Sequence, residues 1–191
     1  MLEVKNLTKK FDDRLVLNDF SYSFDTAGIY LLRGKSGVGK TTLLRILSGL
    51  DKEYEGEITP INSVSFSFQE HRLFPWLSAL KNVEVSLLDT APPDRMQEAV
   101  GMLTSLGFTA EDMHLRPSEL SGGMQSRVSL ARAFIKKTDL LLLDEPTKEL
   151  DTALVQKVCD LINSLSQDRL IIISTHDDLE NHLTIKDIIH L

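Results

Sequence analysis

The sequence is poor in cysteine, in long apolar runs and in positive charge. Its 191 residues include one cysteine, Cys159, so no disulfide bond can form within the chain. No apolar run approaches the roughly 18 residues of a membrane span, and the longest purely aliphatic runs are residues 140–143 and 170–173. The 28 acidic residues outnumber the 21 basic ones, which gives a formal net charge of −7. This balance argues against a nucleic-acid-binding protein, because such proteins carry a basic face.

The first residues also lack the apolar segment of a secretory signal, which is typically about 7 to 15 residues long. Together with the single cysteine, this favours a cytoplasmic location. The composition that remains is globular, with 42% hydrophobic and 26% charged residues, and it is unlike that of disordered chains. At about 150 residues per domain, the length predicts one domain.

Hydrophobic periodicity predicts an α/β fold. Residues 2–7 and 15–24 alternate apolar and polar side chains on either side of the turn Asp12-Asp13, as two strands of a hairpin do. Unbroken apolar runs then alternate with helical stripes, which indicates a mostly parallel sheet covered on both faces. These further strands are predicted at residues 29–32, 64–68, 140–143, 170–173 and 185–191.

The middle of the chain is predicted to be helical. Asp94 and Gln97 match a capping box behind Pro92 and Pro93, with a helix following them. No apolar strand interrupts the sequence from about His71 to Leu120. We therefore expect a helical subdomain at about residues 71–135, inserted between two parts of the α/β core, residues 1–70 and 136–191.

The segment GKSGVGKT at residues 34–41 fits the P-loop pattern and lies between a predicted strand and a predicted helix. Its three glycines let the backbone curl so that several amides converge on phosphate oxygens at a helix N-terminus. In this pattern Lys40 reaches the β- and γ-phosphates and the Thr41 hydroxyl coordinates Mg²⁺. The segment therefore predicts a nucleoside triphosphate site.

The apolar strand LLLLDE at residues 140–145 ends in two acids, at the strand end where ligands of open α/β sheets collect. Asp144 is expected to hold Mg²⁺, usually through water. Glu145 is then free to orient or deprotonate the water that attacks the γ-phosphate. Taken alone, this pattern is equally compatible with a solvated strand end, and the P-loop favours the functional interpretation.

The string LSGGMQ at residues 120–125 resembles the signature of the ATP-binding cassette (ABC) ATPases. The resemblance spans essentially the whole chain, in the order P-loop, Gln69, LSGGMQ, LLLLDE, Leu150-Asp151 and His176. Ser121 and the glycines after it also suit the start of a helix that favours anions. The resemblance implies that two chains pair head to tail, so that the signature of each closes on the γ-phosphate held by the P-loop of the other.

The resemblance implies roles for four further positions. Gln69 matches a glutamine that contacts Mg²⁺ and the attacking water, and His176 matches a histidine that contacts the γ-phosphate. Phe11 lies where the family has an aromatic residue that stacks on adenine, although a packing role is an alternative. Asp151 matches an aspartate that contacts the opposite subunit, and it is also suited to cap the helix after it.

The sequence thus predicts a P-loop NTPase core with a mostly parallel sheet, N-terminal antiparallel strands and an inserted helical subdomain. The predicted catalytic residues are Glu145, His176, Gln69 and Lys40. The predicted magnesium ligands are Thr41, Gln69 and Asp144. The predicted nucleotide contacts are Phe11, Gly34, Lys35, Ser36, Gly37, Val38, Gly39, Lys40, Thr41, Thr42, Ser121, Gly122, Gly123, Gln125 and Asp151.

Two segments refine this interpretation. Lys148 and Glu149 place charges beside the expected dimer contact, where the family usually has small residues. Residues 69–83 resemble the corresponding loop of bacterial importers, particularly those for nitrate, sulfonate and taurine. The apolar cluster at residues 74–77 matches a region that helps to receive a helix of the membrane subunit in that family, or else it packs within the helical subdomain.

We therefore expect the MgATP-driven ATPase subunit of an ABC transporter, which pairs with a second ATPase subunit and a membrane permease. It would lie on the inner face of the membrane through the permease, without inserting into the bilayer or binding nucleic acid. A soluble ABC ATPase of another kind, such as a cluster-assembly ATPase, and an ATP-sensing module with little turnover are the alternatives. Only 51 residues separate Gln69 from Ser121, which leaves no room for the coiled coil of repair-type members.

Overall fold

The structure is a computed structural model that describes residues 1–191. Eight strands and five helices follow one another along the chain, with short 3₁₀ turns at Val85–Leu87, Asp112–His114 and Pro117–Glu119. In chain order they are β1 (Leu2–Phe11), β2 (Arg14–Phe24), β3 (Gly28–Arg33), α1 (Lys40–Leu47), β4 (Glu55–Ile58), β5 (Val64–Ser67), α2 (Ala79–Glu84), α3 (Pro92–Ser105), α4 (Gly122–Ile135), β6 (Leu140–Asp144), α5 (Thr152–Leu165), β7 (Leu170–Ser174) and β8 (Ile185–His190).

The strands form two sheets. A three-stranded antiparallel sheet has the order β2-β1-β4, and a five-stranded sheet has the order β5-β6-β7-β3-β8. Every strand pair of the five-stranded sheet is parallel. The predicted fold class, with its parallel sheet and its N-terminal antiparallel strands, is confirmed.

The five-stranded sheet is covered on both faces, so neighbouring residues of one strand join different cores. In β3, Ile29 and Leu31 pack with side chains of α2, α3, α4 and α5, whereas Tyr30 and Leu32 pack with α1 and the antiparallel sheet. The strands β6 and β7 divide in the same way. Strands buried on both faces carry unbroken apolar runs, which explains why residues 140–143 and 170–173 show no alternation.

Helix α3 starts earlier than the sequence predicts. It begins at Pro92 after Ala91, and no side chain caps it, so the predicted capping box of Asp94 and Gln97 is wrong. Proline is suited to the first helical position because its φ is already helical and the amide that it lacks would have no acceptor there. Asp94 lies in the first turn instead, where its charge favours the positive end of the helix.

The carboxyl ends of the parallel strands meet at one edge of the sheet. The loop after β3 carries residues 34–41, β6 ends at Asp144, and His176 follows β7 by two residues. Register pairs Asp144 with Ser174 and Leu32 with Ser174. The sheet therefore brings three segments that are distant in sequence to one place, as is typical of ligand sites in open α/β folds.

Candidate nucleotide site

A cleft of about 820 Å³ opens beside residues 34–41. Gly39 precedes α1 with a φ of 118°, and a Cβ atom at that position would lie 2.9 Å from Val16 Cγ1. Only glycine fits this close approach without a rearrangement. The first-turn amides of α1 have no acceptor within the helix, and together with the helix dipole they make this end of α1 suited to phosphate.

Lys40 is nearly buried at the centre of the loop, with 7% of its surface exposed. Its ammonium group donates to the carbonyl oxygens of Gly34 at 2.8 Å and Lys35 at 3.3 Å. His176 Nε2 lies 3.3 Å from the same nitrogen. The loop backbone thus holds a positive charge at the wall of the cleft, within reach of an anion that enters it.

Asp144 is a buried carboxylate that accepts hydrogen bonds from two hydroxyl groups. Thr41 Oγ1 donates to Oδ2 at 2.8 Å, and Ser174 Oγ donates to Oδ1. No nitrogen of a basic side chain lies within 4.0 Å of it. A buried anion without a cationic partner is costly, and a carboxylate beside a hydroxyl is a donor set that suits Mg²⁺.

The surroundings of Asp144 suit a magnesium ion whose remaining ligands would be phosphate oxygens of a nucleotide and water. Gln69, whose amide offers another oxygen, lines the same cleft as Thr41 and Asp144. The chain has no cluster of three or more His, Cys, Asp or Glu side chains that could hold a metal ion by themselves. Mg²⁺ usually takes one or two protein ligands and fills its remaining positions with phosphate oxygens and water.

Glu145 and His176 face each other across the strand ends. The Glu145 amide donates to Ser174 O at 2.9 Å, and its carboxylate accepts from the His176 amide at 3.2 Å. Glu145 Oε1 lies 3.4 Å from His176 Nε2. Glu145 has a φ of 53°, a left-handed conformation that is uncommon for residues other than glycine and is concentrated at functional sites.

Most of the residues predicted to bind nucleotide or magnesium within one chain line the cleft. Gly34, Lys35 and Val38 belong to the loop but do not line the cleft. Phe11 does line it, with 49% of its surface exposed and Lys9 Nζ 4.7 Å from its ring centroid. The predicted residues that line the cleft are Phe11, Ser36, Gly37, Gly39, Lys40, Thr41, Thr42, Gln69, Asp144, Glu145 and His176.

Four cleft residues were not predicted as site residues: Arg14, Val16, Lys148 and Asp177. Arg14 donates to Gly37 O at 3.2 Å and pairs with Phe11 in the β1–β2 register. That hairpin register was the signal that could have placed Arg14 beside the predicted adenine contact. Asp177 accepts a hydrogen bond from Thr147 Oγ1 at 2.5 Å.

The residues around LSGGMQ lie outside the cleft. Ser121 caps α4 by accepting from the Met124 amide at 3.2 Å. The Gln125 side chain donates to Pro117 O at 3.0 Å and to Leu120 O at 3.3 Å. None of Ser121, Gly122, Gly123, Gln125 and Asp151 lines the cleft.

Asp151 also serves as a helix cap. Its Oδ1 accepts from the Leu154 amide at 2.9 Å at the start of α5. The structural role that the sequence left open for Asp151 is therefore present. One chain does not bring Asp151 or the LSGGMQ residues together with its own P-loop.

A P-loop before a helix, a buried carboxylate beside its threonine and a glutamate at the strand end define a P-loop nucleoside triphosphatase. A family model described as ABC transporter matches residues 17–148. The chain therefore belongs to the ABC transporter family, and it is an ATP-binding and ATP-hydrolysing subunit of such a transporter. None of its helices has the length and apolar character that crossing a membrane requires.

Two relatives carry the name aliphatic sulfonates import ATP-binding protein SsuB 1. The one from Streptomyces avermitilis is 39% identical over 180 residues, which cover 92% of this chain and 67% of the relative. The one from Paracoccus denitrificans is 39% identical over 178 residues, which cover 91% of this chain and 72% of the relative.

The solved dimer of the ATP-binding cassette MJ0796 in a post-hydrolysis state, bound to ADP and Pi, matches the fold with a TM-score of 0.84 at 29% identity. This match covers 93% of this chain and 88% of that one. The similarity therefore extends beyond the residues that the family model matches.

Proposed function

We propose that this chain drives an importer of small organic anions of the aliphatic sulfonate class, through a membrane permease on whose cytoplasmic side it lies. The observation that carries this proposal is the identity of 39% with two relatives named for sulfonate import, over 92% and 91% of this chain. The solute itself would bind to the permease and not to this subunit. The chain supplies the energy of ATP binding and hydrolysis.

In this proposal Phe11 stacks on adenine and residues 34–42 bind the phosphates, with Lys40 at the β- and γ-phosphates. Thr41, Asp144 and Gln69 hold Mg²⁺, which when bound neutralises phosphate charge. The hydrogen bond from Thr41 to Asp144 at 2.8 Å supports the shared role of these two residues. Their side chains are within reach of a single cation.

Glu145 is proposed to accept the proton of the attacking water, and His176 to contact the γ-phosphate. The His176 amide, 3.2 Å from the Glu145 carboxylate, orients that carboxylate in the cleft. Lys40 Nζ, 3.3 Å from His176 Nε2, places the positive charge beside the histidine. These contacts support a site in which base and phosphate-binding groups are already positioned before the nucleotide arrives.

Pairing with a second copy completes the site in this proposal. The partner copy supplies Ser121, Gly122 and Gly123 to the γ-phosphate, with Gln125 and Asp151 beside them. Their distance from the cleft of their own chain and the dimeric state of the MJ0796 relative support such an arrangement. The helical subdomain at about residues 71–135 then moves relative to the core, residues 1–70 and 136–191, as the dimer closes.

The Glu145→Gln variant tests hydrolysis and pairing together. We expect Mg²⁺-dependent ATP hydrolysis to fall by roughly two orders of magnitude or more, because the proton acceptor is lost while binding is kept. The same variant should form a dimer with ATP that light scattering after size-exclusion chromatography detects. Glu98→Gln, an equal change of charge on the exposed side of α3, should keep normal hydrolysis.

A strictly monomeric Glu145→Gln chain at saturating ATP would contradict the pairing. The import role is tested by uptake of a labelled alkanesulfonate in cells that express the chain together with a candidate sulfonate permease. Wild-type chain should support uptake, and Glu145→Gln should abolish it. Uptake that is independent of Glu145 would contradict the proposed coupling.

A further inference from the structure

Glu149 lies against the first turn of α4, where its backbone approaches Gly123 too closely for a Cβ atom and the flexible end of its side chain lies over Gly122. A Cβ atom at Gly122 would lie 2.8 Å from Glu149 Oε2, and one at Gly123 would lie 2.8 Å from Glu149 O. His71 Nε2 lies 3.5 Å from the same Oε2. The Glu149 carboxylate therefore lies between the start of α4 and His71, in the segment that follows Gln69.

The start of α4 favours a negative charge. Its first-turn amides have no acceptor within the helix, and the helix dipole is positive at this end. Ser121 Oγ satisfies the Met124 amide, but it brings no charge. Glu149 brings a full negative charge next to Gly122, although its φ of 73° is an uncommon conformation for glutamate.

The same helical turn is the one to which the proposed function assigns the terminal phosphate of nucleotide bound to a second copy. A carboxylate and a phosphate that lie within a few ångströms of each other repel, because both are negatively charged. The Glu149 side chain is 45% exposed, so it can rotate into solvent without opening the core. Glu149 does not line the nucleotide cleft of its own chain.

We propose that Glu149 is an internal anion that occupies the start of α4 in the unpaired chain, and that the terminal phosphate of ATP on a second copy displaces it when two chains pair. The inference rests on the proposed pairing of two copies. Glu149 would then be a regulatory contact: because its carboxylate must be displaced, pairing requires a higher ATP concentration. Removing the charge should favour pairing.

The test uses the Glu145→Gln chain as background and adds Glu149→Gln, which keeps the side-chain length and removes the charge. The dimer fraction is measured by light scattering against ATP concentration at fixed protein concentration. We expect Glu149→Gln to lower the ATP concentration for half-maximal pairing roughly 3- to 10-fold. The difference should shrink at about 500 mM salt, because partly exposed charges are screened.

Two further measurements separate this effect from other causes. Binding of a fluorescent ATP analogue to dilute, unpaired chains should be the same with and without Glu149→Gln, because Glu149 lies outside the cleft. Glu149→Ala should act like Glu149→Gln, and Glu98→Gln should leave the ATP requirement for pairing unchanged. Circular dichroism confirms that each variant is folded.

The outcomes are distinguishable. If the Glu145→Gln background does not pair at all, the proposed function fails. If it pairs, but Glu149→Gln needs as much ATP or more, this inference is overturned, and Glu149 is then neutral or an attractive contact between the copies. An equal shift in ATP binding by the unpaired chain would also overturn it.

Discussion

Lys40 and Asp144 are both nearly buried in the same cleft, with 7% and 4% of their surfaces exposed, yet no ion pair joins them. Lys40 donates to the carbonyl oxygens of Gly34 and Lys35, and Asp144 accepts from the hydroxyls of Thr41 and Ser174. A direct ion pair would neutralise both charges. Because backbone and hydroxyl groups satisfy them instead, each charge stays available to a ligand of opposite sign.

Cys159 gives a prediction for pH dependence at the residue scale. Burial raises the pKa of its thiol to about 11, with a smaller effect from Asp160, whereas an unfolded cysteine has a pKa of about 8.5. The folded chain therefore holds this proton more tightly. Its contribution to stability is complete below about pH 8.5 and is lost as the pH rises toward 11.

We expect the unfolding free energy of the wild type to fall by up to about 1.4 kcal/mol per pH unit more steeply than that of Cys159→Ala between about pH 9 and 11. Urea denaturation at several pH values measures both slopes. The variant also loses packing, so the slopes are compared and not the absolute stabilities. Equal slopes would contradict the raised pKa.

Single residues also show what the sequence can and cannot predict about the site. Lys40, Thr41 and Asp144 lie where their motifs predict because each motif specifies both a residue type and its place at a strand end or helix start. Arg14 was missed because its place beside Phe11 depends on hairpin register. The contact of Glu149 with Gly122 was missed because it joins segments that only tertiary packing brings together.

At the scale of elements, the loop before α2 is organised around one buried amide. Asn82 is completely buried. Its Oδ1 accepts from the Phe74 amide at 2.8 Å, and its Nδ2 lies 3.1 Å from the carbonyl oxygens of Phe74, Leu77 and Ser78. The same loop presents Trp76 with 68% of its surface exposed. One side chain therefore fixes the apolar segment at residues 74–77.

We expect Asn82→Ala to destabilise the chain by about 1–3 kcal/mol, because the half-buried backbone groups of Phe74, Leu77 and Ser78 would lose their hydrogen-bond partner. Urea denaturation measures the loss, and hydrogen exchange should increase most at residues 74–78. The matched control Asn62→Ala, at an exposed position, should change stability by less than about 0.5 kcal/mol. Unchanged exchange at residues 74–78 would contradict the anchoring role.

The elements themselves were largely predictable because burial imposes regular patterns on them. The runs at residues 140–143 and 170–173 became β6 and β7 because both faces of the sheet are covered. The sequence does not determine the start of α3, because two competing signals, a capping box at Asp94 and a proline at Pro92, lie two residues apart. The backbone preference of proline decided between them.

At the scale of the whole molecule, a single chain keeps apart the two sets of groups that must both contact ATP in the proposed reaction. The P-loop, Asp144 and Glu145 lie at the strand ends, whereas Ser121 begins a helix that packs outside the cleft. A head-to-tail pair related by twofold symmetry places both groups together twice. Under this arrangement, activity belongs to the pair and not to the single chain.

Mixing two inactive variants tests this arrangement. Lys40→Ala removes the phosphate-binding charge, and Ser121→Arg blocks the start of α4, so each variant alone should hydrolyse ATP at a small fraction of the wild-type rate. In a mixed dimer, the P-loop of the Ser121→Arg chain faces the intact Ser121 of the Lys40→Ala chain. One complete site is thereby restored, and the mixture should regain up to about a quarter of the wild-type rate.

The double variant Lys40→Ala/Ser121→Arg is the matched control, because mixing it with the wild type leaves no complete site in any mixed dimer. Hydrolysis should then fall with the square of the wild-type fraction, to about a quarter at equal amounts, since only wild-type pairs remain active. A fall to one half would mean that each chain works independently. That result, together with no recovery when the single variants are mixed, would contradict a site shared between two copies.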